Sequence, residues 1–262
     1  MVFNLFKKTK AAKTTVVDRF PEEPRDGFKS KEYYLAQLQR VDDFQHELEA
    51  ATQNEDGGRK RYCRTIDQYL FRKIGLLYVL RADGQELASE ATLYCRNTCE
   101  RLQLGDVLTY NIVCRALSFA TLFELGDSEA GFLEDPLELQ GMPEDAVTDL
   151  LRNALFTGQA TTNKDFYYKD KGFHGDGIKD EGGLMKAICA EGREARTAEF
   201  VKYLETVKEK HHQRLLKHYE EVGEQRYVHT GFYDFRLTAV AKVLGIDEDA
   251  VADSKFIAAD LL

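Results

Sequence analysis

Apolar residues in this chain recur every three or four positions, segment after segment, and that spacing leaves room for little besides α-helix. Between Ser30 and about Ala51 they fall at Tyr34, Leu35, Leu38, Val41, Phe44, Leu48 and Ala51, a single stripe down one helix face. Asn54 to Gly58 then supply turn residues. Tyr62, Ile66, Tyr69, Leu70, Lys73, Leu77 and Leu80 mark a second helix, which ends at Ala82-Asp-Gly-Gln, where Asp83 and Gly84 suit a turn or an N-cap. Leu87, Ala91, Tyr94 and Leu102 mark a third helix, and after Gly105-Asp106 a strongly apolar one runs from about Val107 to Leu125. Four antiparallel helices with short loops make a bundle-like unit.

The second half is less regular. Pro143 opens a short helix carrying Val147, Leu150, Leu151 and Leu155, since proline fits a first helical turn. Glycines 158, 172, 175, 177, 182 and 183 crowd Thr157 to Gly183, which reads as a long loop. Leu184 to Ala190 reads as a short helix, Thr197 to Glu221 as one long charged helix, and Phe232 to Leu244 as a helix closed by Gly245. The expected fold class is all-α, a helical bundle-like N-terminal part packed on a smaller helical C-terminal part. The expected divisions are a basic tail over 1–20, an N-terminal helical domain over 21–125, an acidic connection with its short helix over 126–157, and a C-terminal domain over 158–262. No apolar run reaches the roughly 18–20 residues of a membrane span. Val2–Phe6 precedes Lys7, Lys8, Lys10 and Lys13, the reverse of a secretory signal, so the expected location is the cytoplasm.

Motifs for chemistry fail one by one. No P-loop, HExxH or GxSxG occurs, and Gly172-x-x-Gly175-x-Gly177 has the wrong spacing for a dinucleotide fingerprint. Glu209-x-x-His212 is one half of a di-iron pattern, with Asp43-x-x-His46 the nearest second half. One half-site cannot hold a metal pair, so Glu209 and His212 read as a solvated helix face. Asp170 to Gly177 matches a calcium loop in composition only, because Gly172 and His174 stand where oxygen ligands are required. Asp253-Ser-Lys255 has a nuclease-like step but no strand core around it. Cys63, Cys95, Cys99, Cys114 and Cys189 are odd in number and lack CxxC spacing, and read as small buried hydrophobes. The sequence offers no catalytic residue, no cofactor site and no metal set.

Charge is the informative feature. No Lys or Arg occurs for 36 residues between Arg115 and Arg152, while nine acids do: Glu124, Asp127, Glu129, Glu134, Asp135, Glu138, Glu144, Asp145 and Asp149. Residues 1–20 carry five basic side chains and one acid, so a net −9 chain concentrates its negative charge beyond them. An acidic surface repels nucleic acid, whose binding rests on cations neutralising phosphates. It attracts a basic protein and speeds encounter with it. The bland alternative is solvated loops kept soluble by charge.

The run His229-Thr-Gly-Phe-Tyr-Asp-Phe-Arg-Leu-Thr-Ala-Val-Ala-Lys-Val-Leu-Gly-Ile-Asp-Glu248 resembles the C-terminal motif of the PoNe immunity (PoNi) family. Gly231, Tyr233, Phe235, Ala239, Ala241, Lys242, Gly245, Ile246, Asp247, Asp260 and Leu261 stand in matching places. Arg25 to Tyr34 resembles the opening of that family's N-terminal domain, and Ala82 to Leu87 falls at its Tyr-Ser-x-Gly turn. The chain departs from the pattern in having no tryptophan, in Arg236 at a frequent glutamate, and in Phe256-Ile-Ala-Ala in place of Tyr-Pro. The motif residues themselves read as structural: small alanines for close helix packing and large aromatic rings for burial.

The resemblance implies a cytoplasmic antitoxin whose partner is a cognate, basic PoNe-type DNase toxin delivered between bacteria by contact-dependent secretion, such as the type VI system. On that reading the nine acids occlude the toxin's DNA-binding or active site, or else the Gly172–Gly183 loop forms the interface. The chain itself contacts neither nucleic acid nor membrane. The alternative is a non-enzymatic helical adaptor or chaperone for a secreted protein; a third class, a metal-dependent helical enzyme, requires bound metal.

Overall fold

A computed structural model describes residues 19–20, 22–52, 58–134, 145–162, 182–222 and 229–262, and everything structural below concerns those residues. They form helices and no strand. The basic tail and most of the glycine-rich stretch lie outside them.

Four long helices come first: α1 (Lys31–Thr52), α2 (Gly58–Val79), α3 (Gly84–Gln103) and α4 (Tyr110–Leu122). Each packs on the next. The stripe anticipated on α1 is the buried one, with Tyr34, Leu35, Leu38 and Val41 inside. Phe44 stacks on Tyr69 of α2 with ring centroids 3.9 Å apart. Asp83 is the N-cap of α3, its carboxylate accepting the Glu86 N–H at 2.8 Å. The α4 helix is apolar nearly all round because it is surrounded: Ile112, Val113, Ala116, Leu117, Phe119 and Ala120 are all buried.

A short α5 (Asp127–Ala130) and a 3₁₀ turn (Gly131–Leu133) follow, then α6 (Ala146–Thr157), ended by Gly158 in the left-handed conformation. The C-terminal part comprises α7 (Gly182–Cys189), α8 (Arg193–Tyr203), a π turn (Leu204–Lys208), α9 (Glu209–Val222), α10 (Phe235–Leu244), α11 (Glu248–Val251) and a 3₁₀ turn (Ala259–Leu261). The single long helix expected after Thr197 is therefore interrupted by π geometry. Gly245 caps α10 at φ 63°, as its sequence position suggested.

The two parts share one core. Helix α10 lies against α4 and α6, and the buried cluster runs without a break from Phe20 to Ala258. Burying each such Leu, Val or Phe stabilises the fold by about 1.5–3 kcal/mol. Backbone contact at the junction is close. The Thr230 carbonyl oxygen stands 2.9 Å from where a Cβ on Gly75 of α2 would lie. Gly231, at φ 98°, has Val79 Cγ2 only 2.5 Å from its own missing Cβ. Only glycine fits either place.

Candidate functional site

The acidic stretch begins where α4 ends. Glu124 sits at φ 52°, a left-handed conformation that turns the chain out of the helix. Lys242 of α10 fixes that corner: its ammonium donates to the Leu122 carbonyl at 3.4 Å, to the Leu261 carbonyl at 3.4 Å, and pairs with Glu124 at 3.6 Å. A cation at the carbonyl end of α4 also opposes the helix dipole.

Two apolar plugs then pin the segment down, since Ala130 and Leu133 are wholly buried. Arg152 of α6 donates from Nε to the Leu133 carbonyl at 2.9 Å. Before and after the plugs the acids turn outward. Asp127 and Glu134 are exposed. Glu129 is partly covered and takes the Ser128 hydroxyl at 2.5 Å and Arg96 of α3 at 3.5 Å. The Ser128 hydroxyl, with Arg96 behind it, holds the Glu129 carboxyl below its usual range.

Asp145 has a different task from the rest. It is buried and caps α6, one carboxylate oxygen accepting the Val147 N–H at 2.6 Å and the Thr148 N–H at 3.0 Å. Asp149 lies in the first turn of that helix, half-buried, where a negative charge favours the exposed N–H groups. Asp135, Glu138 and Glu144 lie outside the described residues, as does the Gly172–Gly183 loop but for its last two residues, which open α7. The acidic stretch thus divides into acids with local counter-charges (Glu124, Glu129), acids that serve helix ends (Asp145, Asp149), and acids that face solvent (Asp127, Glu134). A scan for missing cations between Arg115 and Arg152 could not show the first group, because Arg96 and Lys242 arrive from other elements.

The family-motif residues gather at the other side of α10. Tyr233 packs edge-on against Tyr78 of α2 with centroids 4.7 Å apart, and Phe235 lies 5.7 Å from Tyr78 and 5.6 Å from Phe119. Ala239 and Ala241 are fully buried, and Ile246 closes the cluster at 5% exposure. Asp247 remains at the surface, its carboxylate 3.6 Å from Arg193 and its backbone N–H donating to Thr197 Oγ1 at 3.1 Å. Tyr78 and Arg25 both engage Asp260, Arg25 at 2.7 Å, which folds the C-terminal residues against the start of the bundle. Nearby, Asp26 accepts from Tyr34 at 2.7 Å and meets His229 Nε2 at 2.9 Å.

Other titratable clusters are structural. Arg101 bridges Asp67 at 3.5 Å and Asp106 at 2.9 Å, and Arg64 with Arg101 holds the Asp106 carboxyl at about 2. Lys73 joins Asp42 at 3.0 Å and Glu90 at 2.8 Å, tying α1, α2 and α3 together. Burial raises the Cys63 thiol to about 11 and the Cys95 thiol to about 12, so both stay protonated and inert at neutral pH. Among the described residues no three His, Cys, Asp or Glu side chains are placed to hold a metal ion.

One sequence-level reading is corrected. Glu209 and His212 do not share a solvated face: Glu209 pairs with Lys255 at 2.8 Å, but His212 is turned inward and is 5% exposed. The π turn before α9 resets the register on which the solvated reading depended.

No described helix is long and apolar enough to cross a membrane. No curated protein and no solved structure matches the chain. Residues 147–261, from the first turn of α6 to the last 3₁₀ turn, do match the family model described as PoNe immunity proteins (PoNi), C-terminal. That match contains the whole Gly231–Asp247 cluster that docks on α2 and α4. Residues 147–261 accordingly are similar to the C-terminal domain of the PoNe immunity proteins.

Proposed function

We propose that this chain is an immunity protein that neutralises a PoNe-type DNase toxin in the cytoplasm, its acids between Glu124 and Asp149, with exposed Asp127 and Glu134 foremost, covering the toxin's basic DNA-binding surface. The observation that supports this reading is the anchoring of residues 124–134. Ala130, Leu133, Arg152 and Lys242 hold the backbone to the core, so Asp127 and Glu134 project from a fixed platform and not from a free loop. Pre-positioned charge lowers the ordering cost of association. It also steers a cationic partner and excludes its polyanionic substrate.

The test is co-expression of the toxin with the double variant Asp127→Lys, Glu134→Lys. Protection is expected to fall, and toxin association in vitro to slow by about ten-fold or more with a weaker dependence on salt. Full protection by a folded double variant would remove this face as the interface.

A further inference from the structure

Four of the described helices close with the same backbone turn, in which a left-handed residue lets the next N–H reach a carbonyl five positions back. The Ala82, Asp106, Leu125 and Ile246 N–H groups donate in this way to Leu77, Arg101, Ala120 and Ala241 at 2.9–3.0 Å. After α3 and α10 the left-handed residue is glycine, Gly105 and Gly245. After α2 and α4 it is Arg81 at φ 62° and Glu124 at φ 52°, among the described residues the two non-glycine residues with positive φ. A side chain is disfavoured in that conformation, and it persists where the surroundings hold it.

Both side chains hold a second segment. The Arg81 guanidinium donates to the Glu23 carbonyl at 2.9 Å and lies 3.3 Å from the Glu22 carboxylate, fastening the N-terminal segment to the end of α2. Glu124 meets the Lys242 ammonium, which also bonds the Leu122 and Leu261 carbonyls. The chain has no Lys or Arg between Arg115 and Arg152, so this charge has to come from another element. The Lys242 side chain is mostly covered and that of Glu124 is 81% exposed, so the cation is fixed by the fold and the carboxylate reaches back to it. An exposed ion pair alone is weak. Here the same cation also caps the carbonyl end of α4 and ties it to the last 3₁₀ turn, where Arg25 and Tyr78 hold Asp260. The corner is braced on α10 and on the N-terminal segment, not on α4 alone.

We propose that Lys242 is a positioning residue for the toxin-facing stretch. It clasps Glu124, holds the left-handed turn and so sets the direction in which residues 125–134 leave α4. Asp127 and Glu134 are then presented in one arrangement, which lowers the ordering cost of association. The clasp is independent of any partner; its role in binding rests on the acidic-face reading.

Hydrogen exchange of the full chain tests the clasp, read at the bonded amides of Leu125, Glu129 and Ala130. Lys242→Met is expected to speed exchange there by about ten-fold, the worth of a hydrogen bond to a charged group, with α1 amides unchanged, and Lys242→Arg to restore most of the protection. Glu124→Gly removes the carboxylate but suits the left-handed turn, so its thermal midpoint should hold or rise while the same amides exchange faster. A residue that served stability alone would not separate the two. Toxin association should slow by about three-fold or more in Lys242→Met and recover in Lys242→Arg. Unchanged exchange in both Lys242→Met and Glu124→Gly, or faster exchange with toxin association unaffected, would each overturn the proposal. The Asp127→Lys, Glu134→Lys variant then tells which reading failed: if it slows association, only the role of Lys242 is lost; if it does not, the acidic face is lost as well.

Discussion

Asp26 and His229 are separated by 203 residues in the chain and by 2.9 Å in the fold, with side chains only 1% and 3% exposed. Tyr34 donates to the same carboxylate, and the His229 backbone N–H donates to the Tyr33 hydroxyl at 3.0 Å. Three aromatic contacts, Phe28 and Phe232 on His229 and Phe28 on Phe232, close the seam at 4.3–4.9 Å. This knot joins the first described residues to the family motif.

Loss of the Asp26 carboxylate should loosen that seam. Burial pushes its pKa up, but bonds from His229, Tyr34 and the Phe28 N–H outweigh this and leave it below the ordinary 3.8. A depressed folded pKa means stability that is present above pH 3.8 and lost as pH falls through the folded value. Asp26→Asn is expected to cost about 1–3 kcal/mol at pH 7 and to flatten the acid limb of a urea-denaturation series. An unchanged acid limb would show that the carboxylate does not couple to folding.

Gly75→Ala should destabilise the protein although alanine is the better helix former. The new methyl would press on the Thr230 carbonyl at 2.9 Å. Overpacking of this kind costs about 1–3 kcal/mol. Gly84→Ala, where nothing lies within 4 Å, serves as the control and should change the thermal midpoint little.

The acids should separate by role. Asp145→Ala removes the α6 cap and is expected to cost about 0.5–2 kcal/mol. Asp127→Ala and Glu134→Ala, both at exposed positions, should stay within about 0.5 kcal/mol of the parent. Chemical denaturation of the three variants checks this, and it ensures that a loss of protection by Asp127 or Glu134 variants is a loss of binding.

His212 adds a second pH dependence. Its pKa lies below the ordinary 6.5, through burial first and the Lys255 charge second. The unfolded chain therefore binds the proton before the folded one does, and stability falls as pH drops from 6.5 toward the folded value. His212→Phe should remove that slope while leaving the Asp26 limb intact, as a pair of pH–stability profiles would show.

The sequence carried the helices well where one face was buried. The Tyr34–Val41 stripe, the Asp83 cap and the Gly245 terminus are all local patterns, written in residues a few positions apart. Thr197 to Glu221 misled because a π turn inserts one residue into the repeat without any marker residue, which turned His212 from the surface to the interior. The acidic stretch was visible as composition, but its division was not. Arg96, Arg152 and Lys242 act on it from three different helices, and only the fold brings them there. Gly75 gave no signal at all, since a glycine inside a helix has a visible purpose only when the Thr230 carbonyl lies against it.

Residues 147–261 end at their N-terminal edge inside a shared interior. Severed there, Phe235 of α10 would lose Tyr78 and Phe119, the rings it packs against, and α4 would lose the helix that lies along it. A fragment cut to the matched segment would behave as one blade of a pair of scissors, sticky along its edge and unable to close. Partners and variants of this protein are best studied on the uncut chain.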